Sequence, residues 1–235
     1  MVTLLTPKRR RGVEILDDPR TEARVLTRSL ADVARSNALF GGTSAVLAEL
    51  EDAFALVGPR ATLLDVGSGV GDIPERARHR AERFRIDLAT FGLDSAEPLA
   101  AASGARTTAA VRGTALALPF PDRGVDIVIC SQLLHHFADD EAGAVVREMD
   151  RVARTRVIVS DIRRSWLAAA GIWLASFPLR FHPVSRHDGV VSVLRGYTAE
   201  ELRELVHRSI GRNPRVRTRR GFRVTAAWTP TRSVQ

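Results

Sequence analysis

Apolar positions along the chain follow two different periodicities, and the change falls just before Ala61. Upstream they recur at helical spacing, with Ala23, Leu26, Leu30, Val33 and Ala34 in one run and Val46, Leu47, Leu50 and Phe54 in the next. Such spacing puts an apolar stripe on one face of a helix, so two helices are expected. Asp18-Pro19 reads as the entry to the first helix and Gly41-Gly42 as its end. Thr43 caps the second, and Gly58-Pro59 closes it. From Ala61 onward the pattern becomes short apolar runs bounded by turns. Ala61 to Val66, a strand ending at Phe91-Gly92-Leu93-Asp94, Val125 to Cys130 and Arg156 to Asp161 read as buried strands. Helix-compatible segments separate them: Ile73 to Phe84, one after Asp94, and the amphipathic Asp139 to Val152. Strands alternating with helices predict an α/β, doubly wound sheet.

After Asp161 the alternation breaks. Trp166 to Leu179 is strongly apolar and is flanked by Arg163, Arg164 and Arg180. Its length falls short of the roughly 20 residues that span a bilayer. It reads as a lid over an apolar substrate, as core packing, or as an interfacial helix with arginines at the head-group level. Thr198-Ala199-Glu200-Glu201 is a capping box that opens a helix through Leu202, Leu205 and Val206. Pro214 to Thr218 and Gly221 to Trp228 alternate like two late strands joined at Arg219-Arg220.

The chemistry centres on Leu63-Leu64-Asp65-Val66-Gly67-Ser68-Gly69-Val70-Gly71-Asp72. Glycine at alternate positions between a strand and a helix lets the backbone run close to a ligand. The helix start behind it offers unpaired N–H groups. The stretch therefore predicts a cofactor cradle. A dinucleotide fingerprint would need glycine where Asp72 stands, and no Gly-Lys-Ser/Thr follows, so neither that loop nor a nucleotide-phosphate loop fits.

Composition narrows the partners. A chain of 235 residues with 45% hydrophobic and 26% charged residues suits one globular domain with decorations. Net charge is +8, and all but one of the 35 basic residues are arginine, Lys8 being the exception. The arginines are spread along the whole length, which points to coding composition, and no specific nucleic-acid partner is expected. Cys130 stands alone, without a disulfide framework or a cysteine metal cluster. Val2 to Thr6 is too short for a secretory core, and Lys8 to Arg11 follows it, so a cytoplasmic location is expected.

The pattern Asp-x-Gly-x-Gly-x-Gly from Asp65 to Gly71 resembles motif I of the class I S-adenosylmethionine-dependent methyltransferases of the small-molecule type. Asp94 and Leu118-Pro119-Phe120 leading to His135-His136-Phe137 extend the likeness. The resemblance implies a Rossmann-like, seven-stranded sheet with a late antiparallel hairpin. It also implies an N-terminal helical cap over 1–42, a cofactor-binding domain over 43–235, and a lid insertion at about 163–197. The cofactor would be S-adenosylmethionine, held by Asp65, Gly67, Ser68, Gly69, Gly71, Asp94, Ser95, Thr114, Ala115, Leu116 and Ser131. Asp94 would hold the ribose hydroxyls, a position that also suits a plain helix N-cap. Thr114 stands where the family usually has the Asp that meets the adenine amino group, and a hydroxyl accepts more weakly.

A sulfonium methyl is already activated, so the protein mainly aligns the reactants and excludes water. An acceptor that loses a proton needs a base, and His135 or His136 at the end of the fourth strand is the candidate catalytic residue. His182 and His187, on the lid side, are further candidates. Adjacent histidines point apart on a regular backbone, so no metal is expected. The expected reaction is methylation at oxygen or carbon of a small, largely apolar acceptor, phenolic or polyketide-like. The alternatives are a quinone-ring methyltransferase in peripheral contact with a membrane, an RNA-binding methyltransferase, or a binding module without turnover.

Overall fold

The computed structural model describes residues 5–10, 12–18 and 20–230. In chain order the elements are α1 (Ala23–Leu39), α2 (Gly42–Phe54), β1 (Arg60–Val66), α3 (Asp72–Glu82), β2 (Asp87–Asp94), α4 (Glu97–Gly104), β3 (Ala109–Arg112) and β4 (Val125–Ser131). There follow α5 (Asp139–Val152), β5 (Ala153–Ile162), α6 (Trp166–Ser176), α7 (Pro183–Arg195), α8 (Ala199–Ile210), β6 (Arg215–Arg219) and β7 (Arg223–Trp228). The seven strands form one sheet in the order β3-β2-β1-β4-β5-β7-β6. β1 to β5 run parallel, and β7 is antiparallel to both β5 and β6. The seven-stranded, doubly wound sheet with its late hairpin is thus present.

Strand geometry explains how the continuous apolar runs are used. Alternate side chains leave opposite faces, so Leu63, Ile127 and Ile158 meet α2 and α3 through Val46, Leu50, Phe54 and Ala77. Leu64, Val128 and Val157 face the other way, toward Met149 of α5 and Leu202 of α8. Both faces are covered, as a parallel sheet requires. The strand order reverses between β1 and β4, where Val66 sits level with Leu93 of β2 and Cys130 of β4. A ligand crevice is expected at that switch point, beyond the carboxyl ends.

Four expectations change. Thr43 does not cap α2: it lies inside the helix, whose N-cap is Gly41. Asp18 does not open α1: its carboxylate accepts from the Arg20 N–H at 2.9 Å in a local turn, and the helix begins at Ala23. Pro19 lies outside the described residues, as do Met1 to Leu4, Arg11 and residues 231–235. The apolar stretch beyond β5 does not run unbroken to Leu179, since α6 stops at Ser176 and α7 begins at Pro183. Arg164, one of the flanking arginines, does not reach the surface as a head-group contact would require. It is buried and reaches the carbonyls of Pro7 and Gly196 and both carboxylate oxygens of Glu201.

Two contacts fix the hairpin. Gly221 lies at φ +70, where a Cβ would stand 2.0 Å from the Phe40 carbonyl oxygen. Gly221→Ala should therefore lower stability by about 3 kcal/mol or more, read from urea unfolding midpoints, because left-handed strain adds to a backbone clash. The buried Glu49 of α2 accepts from Arg219 at 2.5 Å, Thr225 at 2.7 Å and Arg215 at 2.8 Å. Burial alone would raise its carboxyl, but these partners outweigh it and hold it below the ordinary value. Glu49→Gln should cost about 3 kcal/mol at neutral pH. A lowered folded pKa gives stability that is present above the unfolded pKa and lost as pH falls. The gap between wild type and variant in the same urea assay should therefore narrow below about pH 4.

Candidate active site

The glycine loop turns on three left-handed residues, with φ of 75° at Gly67, 54° at Gly69 and 77° at Gly71. A Cβ on Gly67 would stand 2.7 Å from Leu133 Cδ2, and one on Gly71 would stand 3.1 Å from the Ser103 backbone. One on Gly69 would meet nothing within 4 Å, so that glycine faces open space. The loop is tied to the tip of β2. The N–H groups of Gly67 and Ser68 donate to the Leu93 carbonyl, and the Gly69 N–H donates to Asp94 Oδ2 at 3.0 Å. Asp94 Oδ1 accepts from the Ala96 N–H at 3.0 Å, so this carboxylate also serves the start of α4. The Asp94 carbonyl accepts from the Gly113 N–H, which brings the exit of β3 to the same place.

Asp65 sits beneath this loop, buried, and its Oδ1 makes no hydrogen bond among the described residues. Burial pushes its carboxyl well above the usual range, and the neighbouring charges of Asp72 and Asp94 push it further. Ser131 Oγ, at the end of β4, is likewise buried and unpartnered. Ser95 and Thr114 are exposed, and Leu116 is partly so. Two of the expected contact residues look elsewhere: Ser68 Oγ donates to Ser103 Oγ, and Ala115 packs into the core. Thr114 Oγ1 accepts from the Leu116 N–H at 3.2 Å, a local turn contact.

Beyond β4 the chain enters a short 3-10 turn, Leu134–His136. The histidines do not point apart there, because the tight turn brings their ring centroids to 4.4 Å. Asp161, at the end of β5, fixes His135 twice, through the backbone N–H at 3.1 Å and through Nδ1 at 2.6 Å. Burial alone would raise the Asp161 carboxyl, but the charge and hydrogen bond of His135 with the Ile162 N–H outweigh it and hold it low. With Nδ1 engaged, His135 Nε2 is left buried without a hydrogen bond and lies 3.8 Å from Glu14 Oε1. Glu14 also faces His136 Nε2 at 3.9 Å, so the two rings and this carboxylate converge. The geometric reason for setting a metal aside thus fails. Arg195 donates to Glu14 Oε1 at 3.0 Å, so a fixed positive charge stands beside this cluster.

Glu14 is also part of the wall of a cavity of about 300 Å³. Its lining is mostly apolar, supplied by α1, α6, α7 and the start of β7, with Gln132 and Arg223 among the polar groups. Arg223 is buried, donates to Gln132 Oε1 at 2.8 Å, and is pushed down to about 10 by burial. His182 and His187 have other tasks. His182 caps α7 through Val184, and His187 pairs with Asp188, whose carboxylate also accepts from the N–H groups of Ile15 and Leu16.

Residues 63–156 match the family model described as a methyltransferase domain. Over these residues the chain carries a methyltransferase domain, in a sheet like that of solved S-adenosylmethionine-dependent methyltransferases. It is 32% identical over 93 residues to an uncharacterized methyltransferase, YcgJ, of Bacillus subtilis, covering 39% of this chain and 36% of that one. It is 32% identical over 111 residues to ajmaline N-methyltransferase of Rauvolfia serpentina, covering 43% and 36%. The chain thus spans little more than a third of the length of either relative. Among solved structures, an O-methyltransferase (NcsB1) from neocarzinostatin biosynthesis superposes with a TM-score of 0.60 at 21% identity, over 89% of this chain and 59% of that one.

The glycine loop and the groups around it fit S-adenosylmethionine in charge and in space. A buried carboxylate without a partner is costly unless something positive arrives. Asp65 is such a group, S-adenosylmethionine is cationic, and the space before Gly69 is open. What the sequence pattern does not show is the set around the two histidines: Asp161 reads only as the end of a strand, and Glu14 lies in no motif. An acid closing a buried strand was the one available signal for Asp161. No pattern signalled Glu14, whose partners lie in α7 and the 3-10 turn.

Proposed function

We propose that the protein transfers the methyl group of S-adenosylmethionine to an oxygen or carbon of a small, largely apolar acceptor, a hydroxylated aromatic, seated in the cavity behind Glu14. The observation that carries this reading is the Asp161–His135 pair, whose Nε2 makes no hydrogen bond and lies 3.8 Å from Glu14, itself part of the wall of the mostly apolar cavity. Asp65 and Asp94 hold the cofactor, the glycines admit it, and Thr114 and Leu116 border its adenine. The cofactor supplies an activated methyl group. The chain supplies alignment, dryness and a base. His135 Nε2 would take the proton of the acceptor hydroxyl, and Asp161 would steady the resulting imidazolium. Arg223 suits an oxygen or carboxylate on the acceptor. The neocarzinostatin enzyme was crystallised with 1,4-dihydroxy-2-naphthoic acid, and flat hydroxylated aromatics of that type head the acceptor series.

The test begins with calorimetric titration of S-adenosylmethionine and S-adenosylhomocysteine into the protein. The expected result is micromolar binding, with a proton released as the raised Asp65 carboxyl ionises beside the cationic ligand. Repeating the titration in buffers of different ionisation enthalpy reads that proton directly. Hydroxynaphthoates, phenols and quinols then serve as acceptors, with methyl transfer followed by mass spectrometry. Cofactor binding without turnover on any of these would reject the acceptor class, and absence of binding would reject the enzyme.

A further inference from the structure

Helix α6 is apolar on every side, a composition that ordinarily marks a buried helix. Here it is only half buried. Ala168, Ala169 and Ser176 pack inward, whereas Trp166, Leu167, Trp173, Leu174 and the following Phe177 are between 42% and 60% exposed. At 100° per residue these five fall within an arc of about 120°, so they form one continuous stripe. Exposed large apolar residues are usually scattered, and a contiguous patch marks an interaction surface.

Charge identifies the partner. From Arg163 through His187 the chain contains no acidic residue. Asp188, Glu14 and Asp32, the nearby acids, are buried. Arginines gather around the stripe instead. Arg10 lies over the Trp166 ring at 5.6 Å and Arg186 over Phe177 at 3.9 Å. Arg28 and Arg35 of α1 donate to the carbonyls of Arg180 and Leu179 just beyond the helix, which places both at its C-terminal end. Exposed tryptophan beside arginine, over an apolar stripe too short to span a bilayer, is the signature of a helix lying in a lipid interface. Among the described residues no helix is long and apolar enough to cross a membrane.

We propose that α6 docks on the surface of an anionic lipid membrane, its apolar stripe entering the acyl boundary while the surrounding arginines rest on the head groups. The same helix lines the acceptor cavity through Ala168, Gly171 and Ile172. Gly171 is itself exposed, and a Cβ there would meet nothing within 4 Å, so the cavity reaches the edge of the stripe. An acceptor dissolved in the membrane would enter from the lipid side without crossing water. Docking needs no turnover, so it stands or falls separately from the acceptor reading.

The experiment mixes the full chain with vesicles of phosphatidylcholine, with and without phosphatidylglycerol, and follows co-sedimentation and tryptophan fluorescence. Trp166 and Trp173 are exposed on the stripe, whereas Trp228 is 3% exposed and bonded to Asp150, so the signal reports the stripe. Expected are binding to the anionic vesicles that weakens with salt, a blue shift, and quenching by lipids brominated on the acyl chain. Trp173→Glu with Leu174→Glu should weaken binding at least tenfold. Arg28→Gln with Arg180→Gln should weaken it by about tenfold or more. Titration of S-adenosylmethionine into each variant confirms that it is folded. Three results would overturn the proposal: no binding to anionic vesicles at low salt, binding that the glutamate pair leaves unchanged, or self-association through the stripe in place of vesicle binding.

Discussion

Asp65→Ala is expected to weaken S-adenosylmethionine binding at least a hundredfold in calorimetric titration. Hydrogen bonds to a charged group contribute about 1.5–3 kcal/mol each, and a buried carboxylate facing a cation gains more than an exposed one. Stability should move the other way. The Asp65 carboxyl is buried, its Oδ1 is unpartnered, and its pKa is raised by burial and then by Asp72 and Asp94. A raised carboxyl pKa means the folded state holds its proton longer than the unfolded chain. Stability is therefore lost as pH climbs from the unfolded value of about 3.9 through the raised one. The alanine variant escapes that loss. Without cofactor, its thermal midpoint at pH 8 should equal or exceed that of the wild type. A fall in both binding and stability would instead mean that Asp65 serves the fold.

His135→Gln should lower kcat on a phenolic acceptor by about 10²–10⁴-fold, the usual range for loss of a positioned base. Cofactor affinity should hardly change, since His135 belongs to β4's exit and not to the glycine loop. Asp161→Asn tests the other half of the pair. Asp161 binds both the backbone and the ring of His135, so its loss frees the ring to turn or to change tautomer. Its kcat should fall by about 10²-fold, and the pH–rate profile should shift as the imidazolium loses its counter-charge. Equal rates for both variants and the wild type would place the proton elsewhere, with Glu14 the next residue to replace.

The parts of the fold that were legible in the sequence are those set by local signals. β1, β4 and β5 are buried on both faces, so their apolar runs stand out from the chain around them. The Thr198 capping box and Asp139 to Val152 match α8 and α5 at their first residues or whole length. β3 is four residues long at the sheet edge, without a buried side chain, and has no such run. α7 carries a weak stripe, and what holds it is Glu14, Asp32 and the N-terminal segment, none of them sequence neighbours. The glycine loop and Asp94 were legible because spacing alone dictates how a backbone can approach a ligand. The histidine cluster was legible only by residue type. Its geometry depends on a 3-10 turn and on acids from both ends of the chain, and those contacts are tertiary.

The position of β7 bears on how the protein is made. It fills an inner position of the sheet between β5 and the edge strand β6, yet it follows every other strand in chain order. Chains are synthesised from the N-terminus, so the glycine loop, Asp94 and the Asp161–His135 pair have all left the ribosome before Gly221, Phe222 and Arg223 arrive to wall the cavity. Until then β5 presents a bare edge of long, apolar strand, open to pairing with another chain. The nascent chain thus completes its glycine loop before it completes the wall of its cavity.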